Sequence, residues 1–199
     1  QIKNLEISNV DLSKYENIKF PENVKLSSNI QLGDNVDFSQ IKNLEISNVD
    51  LSKYKNIKFP ENVKLDGVTL GDNVDFSQIK NLEISNVDLS KYENIKFPEN
   101  VKLDRVTLGD TVDFSQIKNL EISNVDLSKY EDIKFPENVK FGHDTKLGGN
   151  LDFSNIKNLD LSNVDLSKAK SVKFPQNVKF GYDTKLGGNL DFSQVKNLE

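Results

Sequence analysis

Apolar residues in this chain occur in pairs whose members are separated by one polar residue. Residues i and i+2 share a face of a β-strand, so each pair predicts a short strand with two inward side chains and one outward side chain. The first 40 residues contain six such pairs: Leu5 and Ile7, Val10 and Leu12, Ile18 and Phe20, Val24 and Leu26, Ile30 and Leu32, and Val36 and Phe38. Helical periodicity is absent.

An asparagine stands immediately before each of these pairs. Asparagine tolerates the left-handed backbone region and can hydrogen-bond neighbouring backbone groups, so each one predicts a corner between two strands. If the coils stack, the corner side chains form an asparagine ladder. The six residues are Asn4, Asn9, Asn17, Asn23, Asn29 and Asn35.

The whole pattern recurs every 38 or 39 residues. The sequence IKNLEISNVDLSKY begins at Ile2, Ile41, Ile79 and Ile117, a diverged copy begins at Ile156, and the fragment VKNLE begins at Val195. Such repetition predicts one elongated domain over residues 1–199 rather than separate globular units. Its repeats are 2–40, 41–78, 79–116, 117–155 and 156–194, with a partial repeat at 195–199.

The phenylalanines indicate how many strands make one turn. Ten of them end the third or sixth strand of a repeat, so three strands per turn would place them in one stack. They are Phe20, Phe38, Phe59, Phe76, Phe97, Phe114, Phe135, Phe153, Phe174 and Phe192.

The outward residues support the same number, because stacked neighbours lie about 4.8 Å apart and like charges repel at that distance. Three strands per turn place no two like charges next to each other, whereas two strands per turn would set Asp37 beside Asp50. One outward column alternates as Glu6, Lys25, Glu45, Lys64, Glu83, Lys102, Glu121, Lys140, Asp160 and Lys179. Another alternates as Lys19, Asp37, Lys58, Asp75, Lys96, Asp113, Lys134, Asp152, Lys173 and Asp191.

We therefore predict an all-β fold, a single three-sided parallel β-solenoid of about ten coils with two coils per repeat. At about 4.8 Å per coil the rod would be roughly 45–50 Å long. Steps of eight residues, such as Leu12 to Phe20 and Phe38 to Ile46, are longer than the others. We expect corner bulges there, one carrying Tyr15 and its equivalents and the other carrying Ile41 and its equivalents.

Part of each repeat resembles a known family. The segments LGDNVD at 32–37 and 70–75, and LGGNLD at 147–152 and 186–191, resemble the hexapeptide repeat of left-handed parallel β-helices. This resemblance covers about half of the chain. The quintets VDFSQ and VDLSK are similar to pentapeptide repeats, whose coils are right-handed. Handedness is therefore left open, with the left-handed form favoured.

Composition excludes some classes of partner. The net charge of −5 comes from 26 basic and 31 acidic residues without a basic run, so we do not expect nucleic acid binding. No apolar stretch approaches the roughly 20 residues of a membrane-spanning helix. The chain has no cysteine, hence neither disulfides nor thiolate metal sites. The array begins and ends within a repeat, so we expect it to belong to a longer chain.

Candidate chemistry is sparse. Hexapeptide-repeat acyltransferases would be associated with a catalytic histidine, but His143 is the single histidine and Tyr182 stands in its place one repeat later. The glycines at Gly148 and Gly187 do not match the spacing of calcium-binding nonapeptides. Threonine pairs on one face would suggest ice binding, yet Thr69 and Thr107 alone share an outward column. We predict no catalytic residue, no cofactor and no metal site.

One surface feature has two interpretations. A tyrosine recurs once per repeat at about 10 Å intervals along the rod, and aromatic rings so spaced could stack on a glycan or pack against a protein. Alternatively, each ring folds over its own bulge as an apolar plug. The residues are Tyr15, Tyr54, Tyr92 and Tyr130, and Ala169 ends the series.

These observations favour a non-enzymatic structural or interaction rod, a stalk or adhesive face of a larger bacterial surface or secreted protein. An intracellular effector scaffold and a hexapeptide-type acyltransferase are the alternatives. Unpaired backbone groups at open coil ends would also allow end-to-end self-association.

Overall fold

A computed structural model describes residues 2–15, 17–34, 36–54, 57–72, 74–93 and 95–199; the predicted corner residue Asn35 lies outside them. In these ranges all regular secondary structure is β. The strands are β1 (Asn4–Ser8), β2 (Asn23–Ser27), β3 (Asn43–Ser47), β4 (Asn62–Asp66), β5 (Asn81–Ser85), β6 (Asp88–Leu89), β7 (Asn100–Asp104), β8 (Thr107–Leu108), β9 (Asn119–Ser123), β10 (Asp126–Leu127), β11 (Asn138–Phe141), β12 (Thr145–Asp152), β13 (Leu159–Asp160), β14 (Val164–Lys173), β15 (Asn177–Lys179), β16 (Asn189–Asp191) and β17 (Asn197–Leu198).

The strands stack in parallel sheets, with each coil lying on the preceding one. The longest sheet has eight strands in the order β1-β2-β3-β4-β5-β7-β9-β11, and β13, β15 and β17 continue beyond it. A four-stranded sheet contains β10, β12, β14 and β16, and a two-stranded sheet contains β6 and β8. This arrangement confirms the predicted all-β parallel solenoid.

Among the described residues, the corner after the first strand of each coil has a residue with positive φ, joined in the second coil by Ser28, and these corners count about ten coils. Asparagine occupies most of them, as predicted, because its side chain makes this region accessible. The residues are Asn9, Asn29, Asn48, Gly67, Asn86, Arg105, Asn124, Asp144, Asn163 and Asp183, with φ between 51° and 63°. Asn4 and Asn23 have a different place, because they are the first residues of β1 and β2.

The interior is a continuous column of aliphatic and aromatic side chains. Phe20 and Phe38 are vertical neighbours with ring centroids 5.1 Å apart, and the stack extends to Phe174 and Phe192 at 4.6 Å. Phe114 is fully buried between neighbouring coils. Burial of this column supplies most of the stability of the fold, since each buried large apolar side chain contributes about 1.5–3 kcal/mol before chain entropy is subtracted.

The strand registers confirm the predicted outward neighbours. Glu6 pairs with Lys25, and Lys25 pairs with Glu45, in the longest sheet. In the other two columns of outward residues, Asp126 pairs with Lys146 and Asp37 pairs with Lys58. Each coil thus contributes a segment to three stacked columns. The three-sided outline and the handedness stay predictions.

The structure differs from the prediction of six regular strands per repeat. In the first repeats only the strands of the longest sheet have five residues, whereas Asp11–Gln31 and Asp50–Thr69 are isolated bridges. These short segments lie between two corners, so only one or two residues of each can pair with the neighbouring coil. In the last repeats, β12 and β14 instead run continuously around a corner.

Candidate functional site

The four tyrosines lie at a corner that follows a tight turn. The backbone N–H of Tyr92 donates to the carbonyl oxygen of Leu89 at 3.1 Å and closes a four-residue turn. The ring then folds against the core, so Tyr92 is 7% exposed and Tyr130 is 9% exposed. Tyr54 is partly buried, and Tyr15, in the first coil, is 64% exposed. The column is therefore a row of largely buried rings with one exposed member.

The tyrosine hydroxyls bond to the backbone of the preceding coil. Tyr92 Oη donates to the carbonyl oxygen of Leu70 at 2.7 Å, and Tyr130 Oη donates to that of Gly109. Burial raises the pKa of Tyr130, which keeps this hydroxyl protonated as a donor. This geometry favours the structural interpretation of Tyr92 and Tyr130. Ligand contact by the column stays a prediction, for which Tyr15 has the accessible ring.

Glycines in the following coil pack directly onto these tyrosine turns. A Cβ atom at Gly109 would collide with the carbonyl oxygen of Tyr92, and one at Gly71 would lie 3.3 Å from that of Ser52. The leucine–glycine pair of the hexapeptide-like segment therefore allows two coils to approach closely at this corner.

Ala169 breaks the tyrosine series because the corner below it is built differently. Gly149, at φ +68°, pairs with Ala169 in the register of β12 and β14. A Cβ atom at Gly149 would collide with the carbonyl oxygens of Tyr130 and Glu131. The two strands are continuous here, and Ala169 is 6% exposed. Ala169 is therefore a buried strand residue, whereas Tyr92 and Tyr130 follow a turn.

Aspartate–serine turns are a feature that the sequence analysis missed. The backbone N–H of Ser13 donates to Asp11 Oδ1 at 2.9 Å, and that of Ser115 donates to Asp113 Oδ1 at 2.8 Å. These bonds hold the pKa of Asp113 below its ordinary value, through the backbone and then the side chain of Ser115. The recurrent Asp-x-Ser spacing is the signal that could have revealed them.

The expected corner bulges are these turns. After Asp75, the N–H of Ile79 donates to the carbonyl oxygen of Phe76 at 3.0 Å, and Ile79 is buried in the core. The extra residues of the eight-residue steps therefore form a closed turn with an apolar residue at its end.

A shallow groove runs along the longest sheet. Its floor carries an asparagine ladder, in which Asn23 Nδ2 donates to Asn4 Oδ1 at 2.7 Å and Asn43 Nδ2 donates to Asn23 Oδ1 at 2.6 Å. The groove has a volume of about 840 Å³ along β1 to β5 and about 690 Å³ from Asn81 to Asn158.

One charged row lines this groove on the strand side, and a second charged row precedes the ladder, of which Glu137 and Lys157 line the groove. The strand wall is the outward column that begins with Glu6 and Lys25. The corner wall lies three residues earlier in each coil and also alternates in charge, a second pattern that the sequence analysis missed. Lys118 Nζ lies 2.6 Å from Glu99 Oε1 within it. The corner wall consists of Lys3, Glu22, Lys42, Glu61, Lys80, Glu99, Lys118, Glu137, Lys157, Gln176 and Lys196.

The other candidates from the sequence lie apart from one another. His143 is exposed at a corner, where its carbonyl oxygen accepts from the N–H of Asn124 at 2.7 Å. Thr69 and Thr107 pair with Asp50 and Asp88 in neighbouring coils. In the described ranges, no three His, Cys, Asp or Glu side chains are placed to hold a metal ion.

The class of this protein follows from its fold alone. No family model, curated protein or solved structure matches this chain at a significant level. The described part of the chain has no helix that is long and apolar enough to cross a membrane. A solenoid of stacked, nearly identical coils fits a non-enzymatic repeat protein.

Proposed function

We propose that this chain is a structural repeat region that acts as a rigid rod. The observation that carries the proposal is the uninterrupted register of the longest sheet. Eight successive strands pair one residue to one residue, from Asn4 opposite Asn23 to Asn138 opposite Asn119. In a solenoid each coil contacts only its neighbours. Continuous strand pairing therefore fixes each coil relative to the next along the whole rod.

The near-identity of the repeats supports a role in spacing rather than in chemistry. A catalytic site would need at least one repeat to differ in its polar side chains, yet the first four repeats share IKNLEISNVDLSKY. The buried tyrosine hydroxyls and the corner glycines join consecutive coils and do not form a cleft. We place the rod in a larger bacterial surface or secreted protein, as a stalk or an adhesive face.

The experiment is to change the length of the rod by whole repeats. Deleting residues 79–116 removes two coils and joins Gln78 to Ile117, a junction that the sequence already contains at Gln116–Ile117. Small-angle X-ray scattering should then show a rod shortened by about 10 Å with an unchanged cross-section. Deleting 81–99 is the matched control, because it removes one coil and places Lys64 next to Lys102.

The two deletions must differ for the proposal to stand. The two-coil deletion should unfold cooperatively, whereas the one-coil deletion should be less stable despite its greater length. A scattering profile of a flexible or compact chain would contradict a rigid rod. A glycan array with the full chain then tests the adhesive face, and Tyr15→Ala is the variant that should abolish any binding through the exposed ring.

A further inference from the structure

We propose that the groove along the longest sheet is an interface for a second copy of this chain. The two rods would lie side by side, parallel and in register, with their asparagine ladders facing each other. This inference concerns a lateral face and does not depend on the rod being a stalk or an adhesive.

The first argument is the charge pattern across the groove. Within each coil, the corner wall and the strand wall carry opposite charges, because the sequence alternates KNLE with ENVK. Lys80 precedes Asn81 of the ladder and Glu83 follows it by two residues, and in the next coil Glu99 and Lys102 have the same positions around Asn100. The same alternation holds along the rod, so each charge has an opposite neighbour above, below and across. The one exception is Gln176 beside Lys179.

The second argument is symmetry. A two-fold axis parallel to the rod and centred on the asparagine ladder brings the corner wall of one copy over the strand wall of the other, at the same coil. Lys80 then meets Glu83 of the second copy, and Glu83 meets its Lys80. The match holds at every coil where both walls are charged, whatever the length of the array. Such a self-complementary patch is what an isologous dimer requires.

The third argument is area. Ten coils at about 4.8 Å and a face of five residues at about 3.3 Å give roughly 800 Å² per copy. Two copies would bury about 1,600 Å², within the range of specific interfaces. The wall side chains are available for this contact, since those of Lys118 and Glu99 are 66% and 53% exposed.

The arrangement also specifies its own register. Sliding one rod by a single coil would place lysine over lysine and glutamate over glutamate along both walls. Stable offsets therefore occur in steps of two coils, the length of one repeat. Each exposed contact is weak, and salt screens it, so we expect a dimer that forms at low ionic strength and dissociates at high ionic strength.

Sedimentation equilibrium tests the proposal on the full chain. Dimers should be present at about 0.01 M salt, where charges interact over roughly 30 Å, and absent at about 1 M, where the range is roughly 3 Å. A chain that is monomeric at both salt concentrations would overturn the proposal.

Charge inversion distinguishes this interface from other association. The variant Glu83→Lys, Lys102→Glu, Glu121→Lys, Lys140→Glu inverts four residues of the strand wall and places like charges opposite each other at four coils. Dimerisation should weaken by at least about tenfold. Adding Lys80→Glu, Glu99→Lys, Lys118→Glu and Glu137→Lys restores opposite charges between the copies and should restore the dimer.

Urea denaturation of both variants at about 1 M salt, where the chain is monomeric, separates folding from association. Within each rod the second set restores opposite charges across the ladder and places like charges beside Glu61 and Lys157, so the two variants should be monomers of similar stability. Recovery of the dimer therefore supports the interface, and failure to recover overturns it.

Orientation is tested separately. The chain has no cysteine, so a spin label can be placed at Ser27→Cys or at Ser123→Cys. A parallel dimer in register gives the same distance between the two labels at either position, and unequal distances would overturn the arrangement.

Discussion

The hydroxyl of Tyr92 donates a hydrogen bond to the carbonyl oxygen of Leu70, 22 residues earlier and one coil below, at 2.7 Å. The bond crosses from the third repeat into the second. Tyr54 makes the corresponding contact one repeat earlier, where its hydroxyl accepts from the N–H of Leu32 at 2.9 Å. Each such tyrosine therefore joins its own repeat to the preceding one through a polar bond at a largely buried corner.

Tyr92→Phe should lower the free energy of unfolding by about 1–2 kcal/mol, because the substitution leaves the buried carbonyl oxygen of Leu70 without its donor. Urea denaturation measures the change. Tyr15→Phe is the matched control: its ring is 64% exposed, so the change should stay within about 0.5 kcal/mol. Equal effects of the two substitutions would contradict a coupling role for the hydroxyl.

Gly109→Ala should destabilise the rod by about 1–3 kcal/mol, since the new Cβ atom would overlap the carbonyl oxygen of Tyr92 and force two coils apart. Gly33→Ala provides the control at the equivalent position of the first repeat. There the nearest atom to a Cβ is the carbonyl oxygen of Ser13 at 3.7 Å, an ordinary contact. Thermal unfolding of both variants should show a loss for Gly109→Ala alone.

Phe114→Ala should lower the free energy of unfolding by about 3–5 kcal/mol, because the ring is fully buried and its removal leaves a cavity in the stack. Phe192 lies in the same column near the last coil, where its ring is 40% exposed. Phe192→Ala should therefore lower the free energy of unfolding clearly less. Chemical denaturation of the two variants checks the order. The reverse order would mean that the phenylalanine stack is not the main buried column.

Acid should destabilise the aspartate–serine turns. The pKa of Asp113 is lowered in the folded protein, so its contribution to stability is complete above the ordinary value of 3.8 and is lost as the pH falls through the folded pKa. Stability should therefore decline below about pH 4. The triple variant Asp75→Asn, Asp113→Asn, Asp152→Asn keeps the acceptor oxygens and removes the titration.

The measurement for these turns is the urea midpoint at pH 6 and at pH 3. The native chain should lose more stability on acidification than the triple variant. If both lose the same amount, other carboxylates control the acid transition.

Much of this fold could be predicted from the sequence because its order is periodic. Pairs such as Leu5 and Ile7 specify which side chains point inward, and the charges of Glu6 and Lys25 specify which strands can stack. Both are local properties that recur with every repeat. A wrong assignment of one strand would therefore conflict with the same strand in the next repeat. The corner wall and the Asp11–Ser13 turn have the same kind of signal.

Other features depend on contacts between residues that no local pattern connects. The ring of Tyr92 packs on the coil beneath it, whereas Tyr15 lies in the first coil, which is why the two share one sequence context but differ in exposure. Ala169, in the place of the tyrosine, lies in a strand and pairs with Gly149, 20 residues earlier. The sequence by itself therefore determined the coils, their order and their charge alternation. Only the tertiary structure decided which side chains fill the corners, because the space at a corner is set by the backbone of two coils at once.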